Sequence, residues 1–196
     1  MVRTSSGSAR GTASREAILQ AALRVIGRAG LAGASLSAVA ADAGTSKPAL
    51  LYHFGSRENL LREVAVMAVS VFRTLLEAAG DEDVPARRRT EGSVAALFSP
   101  GNRTLLVCVH ELVGLGMRDP EVGGLLARAL DEATHIPAKS LARIHGEQAE
   151  SLARSLIMAV HGHVELWLCS GDQDPAPYIA AATRTALAIL ATPAPR

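Results

Sequence analysis

Apolar residues recur along this 196-residue chain at spacings of three and four, the period of an amphipathic helix. No run alternates with period two over a useful length. Ser14 is placed to cap a first helix over residues 14–29, with Ile18, Ala22, Val25 and Ile26 on one stripe and Gly30 ending it. A second helix starts near Ser35 or Ser37 and stops before Gly44, and a short third covers 46–54 before Gly55 breaks it. Ser56 caps a long fourth helix over 56–79. The pattern stays helical through 85–98 and 102–117, which are closed by Ser99-Pro100-Gly101 and Arg118-Asp119-Pro120. Segment 121–146 carries Pro137, which predicts a kink or a split. Gly123-Gly124 within it reads as a local weakness. Segment 147–170 is the longest strongly apolar stretch, and an Ala-rich helix over 177–191 precedes a Pro-broken tail. The expectation is an all-α chain of about nine helices: a flexible arm over 1–13, a three-helix unit over 14–55 and a larger helical body over 56–192.

Composition agrees with helix: Ala and Leu dominate, and aromatics are only 3%. At 48% apolar residues the chain can bury a core without staples. The formal net charge of +1 hides an asymmetry. Residues 1–57 hold seven cations (Arg3, Arg10, Arg15, Arg24, Arg28, Lys47, Arg57) against Glu16 and Asp42, a net of +5. The remainder has 13 Lys/Arg against 17 Asp/Glu, a net of −4. One end of the chain is therefore suited to a polyanion. Cys108 and Cys169 sit in apolar contexts without pair spacing and read as reduced, buried thiols. No apolar run reaches membrane-spanning length and residues 1–15 lack a signal-peptide core, so a soluble cytoplasmic protein is expected.

Residues 36–61, LSAVAADAGTSKPALLYHFGSRENLL, carry the chemistry. Two short helical patterns flank an Ala40-x-x-x-Gly44 turn signal; Ala40 lets the helices cross closely, and Gly44 supplies the positive φ of a tight interhelical turn. Val39, Ala43, Leu50 and Phe54 are phased toward the first-helix stripe, so Ser46, Lys47, Ala49, Tyr52 and His53 project outward. Pro48 is harmless in a first helical turn. Lys47 can bond a guanine edge or a phosphate, Thr45 and Ser46 a base or a phosphate, and Tyr52 and His53 the backbone. Ser35 and Ser37 open the second helix and Ser56-Arg57 the fourth, offering helix N-termini to phosphates. Any of these residues alone is an ordinary surface group; their agreement with spacing and local charge points to a helix-turn-helix that reads a major groove.

Residues 15–64, from Arg15-Glu16-Ala17-Ile18-Leu19 through Gly44-Thr45-Ser46-Lys47-Pro48-Ala49-Leu50-Leu51-Tyr52-His53-Phe54 to Glu58-Asn59-Leu60-Leu61, resemble the N-terminal domain of the TetR family of bacterial transcriptional regulators. The resemblance covers about a quarter of the chain. The chain departs from the pattern at Thr45, where members usually carry Val, and at Leu51, where they usually carry a phosphate-binding Tyr. The backbone grip then rests on Tyr52, His53 and Arg57. The resemblance implies a homodimer that binds a roughly palindromic operator and releases it when a small molecule enters the body. Its expected partners are double-stranded operator DNA, a second copy and an unknown effector, with no cofactor and no membrane.

One short recognition helix buries too little surface for tight specific binding, which favours a dimer reading two half-sites. Leu152, Leu156, Ala159, Val160, His163 and Trp167 mark one face of the eighth helix, and Ile179, Thr183, Ala186 and Leu190 one face of the ninth. Paired across a twofold they would make a four-helix bundle, although such stripes equally complete a monomer core. A ligand cavity between the fourth helix and the body would draw on Met67, Val71, Phe72, Leu75, Phe98, Leu105, Cys108, Val109, Leu112, Met117, Met158 and His161. His110-Glu111, His161-x-His163 and Glu165 suggest metal ligands, but His161 and His163 diverge by about 200° on a helix, so no metal site is assigned. No catalytic or phosphate-loop motif is present, and no enzymatic activity is expected.

Overall fold

The computed structural model describes residues 6–78 and 84–193, less the side chains of 6–13, 75–78, Ala86 and Ser140. Among these residues the chain is helical throughout: α1 (Ser6–Gly33), α2 (Leu36–Asp42), α3 (Lys47–Phe54), α4 (Arg57–Ala78), α5 (Ala86–Leu97), α6 (Arg103–Gly116), α7 (Pro120–His145), α8 (Ala149–Ser170) and α9 (Ala176–Leu190). Two single-turn 3₁₀ segments, Pro100–Asn102 and Gly146–Gln148, precede α6 and α8. Among the described residues no helix is long and apolar enough to cross a membrane.

Local signals set most helix ends. Ser35, Ser46 and Ser56 accept the amides of Ala38, Ala49 and Asn59 at 3.1, 3.3 and 3.1 Å, the side-chain capping that helix starts require. Gly30 leaves the helical region (φ 66°, ψ 177°), so α1 is interrupted where its stripe ends.

Two helix boundaries differ from those expected: the start at Ser14 and a split at Pro137. The first helix starts at Ser6 rather than Ser14, because Ala9, Arg10 and Ala13 favour helix enough to carry it through Gly7 and Gly11; residues 1–5 of the expected arm lie outside the described residues. Helix α7 runs unbroken over Pro137. Ala133, Thr134, Ala138 and Leu141 are buried along one stripe on either side of it, and that packing outweighs one lost backbone hydrogen bond.

The chain forms two compact units, and the division falls inside α4 and α7. The first comprises residues 1–70 and 104–126. Its core joins Ile18, Ala22 and Ile26 of α1 to Val39 and Ala40, to Leu50 and Phe54, and to Leu60, Leu61 and Val64. Helix α6 belongs to this unit through close approaches. A Cβ on Gly27 would lie 2.4 Å from the Thr104 carbonyl oxygen, and one on Gly123 would lie 2.6 Å from that of Gly116. Gly123 is thus a contact glycine, and its apparent weakness in the sequence is the space that α6 needs against α7. Arg62 of α4 bonds Asp119 at 3.0 Å and Glu121 at 3.1 Å. Asp119 also caps α7 through the amides of Glu121 and Val122.

The second unit comprises residues 71–103 and 127–196, in which α9 packs on α8 and α5. Ala138, Leu141, Ala149 and Ala153 form a small-residue core flanked by Leu152 and Leu190. Phe98 stands 5.5 Å from the Trp167 ring, and the Arg103 guanidinium covers that ring at 5.4 Å.

Candidate nucleic-acid interface

Helix α3 is held from behind and open in front. Leu50 and Phe54 are buried, while Ser46, Lys47, Pro48 and Tyr52 are exposed and Thr45 and His53 half-buried. The approach to it is set by Gly44 (φ 63°), which lets the Thr45 amide reach the Ala40 carbonyl at 2.9 Å. Gly55 (φ 74°) closes the helix by donating to Leu51 at 2.8 Å.

The groups on the open side are unusual for a helix that only needs to fold. Lys47 is the first residue of α3, where a cation opposes the helix dipole. Tyr52 is 87% exposed, with only the His53 ring edge-on at 5.5 Å. Ser46 uses its oxygen to accept the Ala49 amide, so its hydroxyl proton is free to donate outward. Ser35, exposed at the start of α2, is in the same state, and Ser37 is exposed beside it. Together these make a face with a cation, a phenol, two outward hydroxyl donors and two capped helix starts, a set suited to phosphate oxygens and groove edges.

The cationic excess lies largely elsewhere. Arg24 and Arg28 both bind Asp42, and Arg15 binds Glu63 while lying 5.2 Å over the Phe54 ring. The hydrogen bonds from Arg28 and then Arg24 hold the Asp42 carboxyl below its ordinary value of 3.8. Arg57 is also engaged inside the chain. Its Nε donates to the Ala34 carbonyl at 3.1 Å and its Nη2 to the Leu31 carbonyl, so two of its three guanidinium nitrogens are engaged within the domain. Sequence position put it at a helix start, but the carbonyls that recruit it lie more than twenty residues upstream.

The predicted pocket residues do not form one class. Phe98, Leu105, Cys108 and Leu112 are buried, but Met117 is 81% exposed, and Val71 and Met158 are also exposed. Met67, Phe72, Val109 and His161 are half-buried, and the side chain of Leu75 lies outside the described residues. An open groove of about 500 Å³ in the second unit is lined by Arg73, Arg128, Asp131, Glu132, His135 and Ile136. Of the cysteines, Cys108 is buried and Cys169 is exposed, which corrects the reading of both as buried. Burial, and then the nearby Glu111 carboxylate, push the Cys108 thiol up to about 12.

The predicted dimer face is also redistributed. Val160, Trp167 and Ala186 are buried within the single chain and are core residues. Leu152 and Leu190 pack on the Ala-rich cluster, and His163 bonds the Thr185 hydroxyl at 3.1 Å. Leu156, Ala159, Ile179 and Thr183 are half-buried. The face of α8 that remains open carries Met158, Gly162, Leu166 and Cys169. Among the described residues no group of three or more His, Cys, Asp or Glu side chains is gathered to hold a metal ion.

Residues 18–64 match the family model for bacterial regulatory proteins of the tetR family. The transcriptional regulator RutR of Escherichia coli K12 is 30% identical over 132 residues, covering 65% of this chain and 61% of that protein, so the chain spans about three-fifths of the length of this curated relative. A transcriptional regulator from Rhodococcus sp. superposes with a TM-score of 0.78 at 19% identity, over 90% of this chain and 93% of that one. A transcriptional regulator from Streptomyces coelicolor superposes with a TM-score of 0.65 at 28% identity, over 91% and 99%.

Proposed function

Because the chain belongs to the TetR family of bacterial transcriptional regulators, we propose that it binds a palindromic operator as a homodimer, represses from it, and is released by a small molecule bound in the helical body. The observation that carries the DNA-binding part is the open face of α3, with Lys47 and Tyr52 exposed beside the serine-capped starts of α2 and α3. Ser35, Ser37, Thr45, Ser46, Lys47, Pro48, Tyr52 and His53 make up the proposed DNA surface; Arg57 supports it. Binding would read two half-sites about one helical turn apart, with phosphate contacts fixing the register and α3 supplying base contacts.

A footprint of the full chain on the DNA flanking its own coding region tests this reading. Two protected half-sites with a common centre are expected, and binding should weaken steeply with salt. Equal protection of all sequences, or none at low salt, would remove operator recognition.

A second reading is favoured by the pocket residues themselves: Phe98, Leu105, Cys108 and Leu112 are packed as core, and the open groove is lined by charged groups. On that reading the body only dimerises or holds a protein partner. Operator complexes undisturbed by a broad metabolite panel would support it, and release by one compound would exclude it.

A further inference from the structure

We propose that Glu111 of α6 and Arg57 of α4 are positioning residues that jointly hold Leu31, and so make the placement of α6 a determinant of operator affinity. Gly30 interrupts α1 with φ 66°, and beyond it the Leu31 carbonyl accepts the Ala34 amide at 3.3 Å in a single turn. Both polar groups of Leu31 also bond side chains from two different helices. Its N–H donates to Glu111 Oε2 at 2.9 Å, and its carbonyl accepts from Arg57 Nη2. Arg57 Nε also donates to the Ala34 carbonyl at 3.1 Å.

Ala34 is 2% exposed and immediately precedes Ser35, whose hydroxyl caps α2. The clasp therefore ends one residue from the proposed phosphate-facing start of α2. All three hydrogen bonds are charge-assisted, the stronger kind. Gly30 is matched to the clasp, since a Cβ there would lie 3.2 Å from Glu111 Oε1 in a backbone conformation that side chains disfavour.

Glu111 reaches Leu31 from 80 residues away in the chain. A shift of α6 pulls directly on the peptide that leads into α2. Neither Glu111 nor Arg57 needs to touch DNA for this; each acts through Leu31 and Ala34.

The DNA arm of the test rests on the operator-binding reading, while amide exchange at Leu31 does not. In Glu111→Ala, hydrogen exchange at the Leu31 amide should accelerate by about tenfold or more as its acceptor is lost. Operator affinity should fall by about fivefold or more at a temperature where circular dichroism shows the chain fully folded. Glu111→Gln keeps an acceptor oxygen and should recover most of both. Unchanged Leu31 exchange in Glu111→Ala overturns the clasp, and so does a glutamine variant as impaired as the alanine variant. Faster exchange with wild-type operator affinity would overturn the link from α6 to DNA. A wild-type chain that binds no operator would remove the operator reading instead, and the exchange result would still decide the clasp.

Discussion

Lys47 is exposed at the first position of α3, on the face proposed to meet DNA. A lysine at the first position of α3 opposes the helix dipole by roughly 0.3–1 kcal/mol, and no described acid forms an ion pair with it. Lys47→Ala is expected to cost about 1–3 kcal/mol of operator binding if the ammonium reads a base edge. Competition titrations against random DNA check this; an equal loss on both would reassign Lys47 to a phosphate. Asp42 shows the opposite logic. An acid in the last turn of α2 is unfavourable to that helix, yet the arginines at 24 and 28 of α1 override the dipole and hold its carboxyl below 3.8. A depressed folded-state pKa gives a contribution that is complete above the unfolded value and lost as pH falls through the folded one. Asp42→Ala should therefore melt below the wild type at pH 7, with the gap closing as pH drops beneath about 3.8. A constant gap across that range would show that the ion cluster contributes nothing specific.

Helices were legible in the sequence because their signals are local. The caps at Ser35 and Ser46, the breaks at Gly30, Gly44 and Gly55, and the buried stripe of Ile18, Ala22 and Ile26 all lie within a few residues of what they control. The outward face of α3 followed from the same phasing. What could not be read was tertiary choice. Pro137 is a local breaker overruled by packing, Arg57 is diverted to carbonyls 23 and 26 residues back, and Glu111 finds Leu31 across 80. On α8 the stripe alone left core and interface open, and the burial of Val160 and Trp167, the latter against Phe98, assigns these two to the core. Gly27 makes the element-scale case testable. Glycine to alanine inside a helix ordinarily gains about 1 kcal/mol, but at Gly27 the new Cβ would lie 2.4 Å from the Thr104 carbonyl oxygen. Overpacking of that kind costs about 1–3 kcal/mol, so Gly27→Ala should lower the melting temperature. Gly114→Ala in α6, where nothing lies within 4 Å, should raise it. Equal effects of the two variants would show that α1 and α6 do not approach closely.

For the whole molecule, the proposed dimer turns on which face of α8 is left over once the single chain has folded. Ala153, Val160, Val164 and Trp167 are consumed by the core, so they cannot also bind a second copy. Met158 (44% exposed), Gly162, Leu166 (61% exposed) and Cys169 share the remaining face at successive helical turns. An added Cβ at Gly162 would meet nothing within 4 Å, which leaves room for a partner helix to approach. Large exposed apolar groups around a gap of this kind fit a helix-on-helix interface better than a solvated surface. Sedimentation equilibrium of the wild type should give a dimer at micromolar concentration. Leu166→Glu should shift it toward monomer while leaving the helical circular dichroism spectrum unchanged, because a carboxylate at the centre of a dry interface is left without a partner. Trp167→Ala should behave differently. It removes the partner of Phe98 and Arg103 and should destabilise the fold by about 3–5 kcal/mol, lowering the melting temperature before any dissociation is seen. A wild type that sediments as a monomer would end the dimer proposal. A Leu166→Glu variant that stays dimeric would move the interface off this face of α8, and with it the expected spacing of the two α3 helices on DNA.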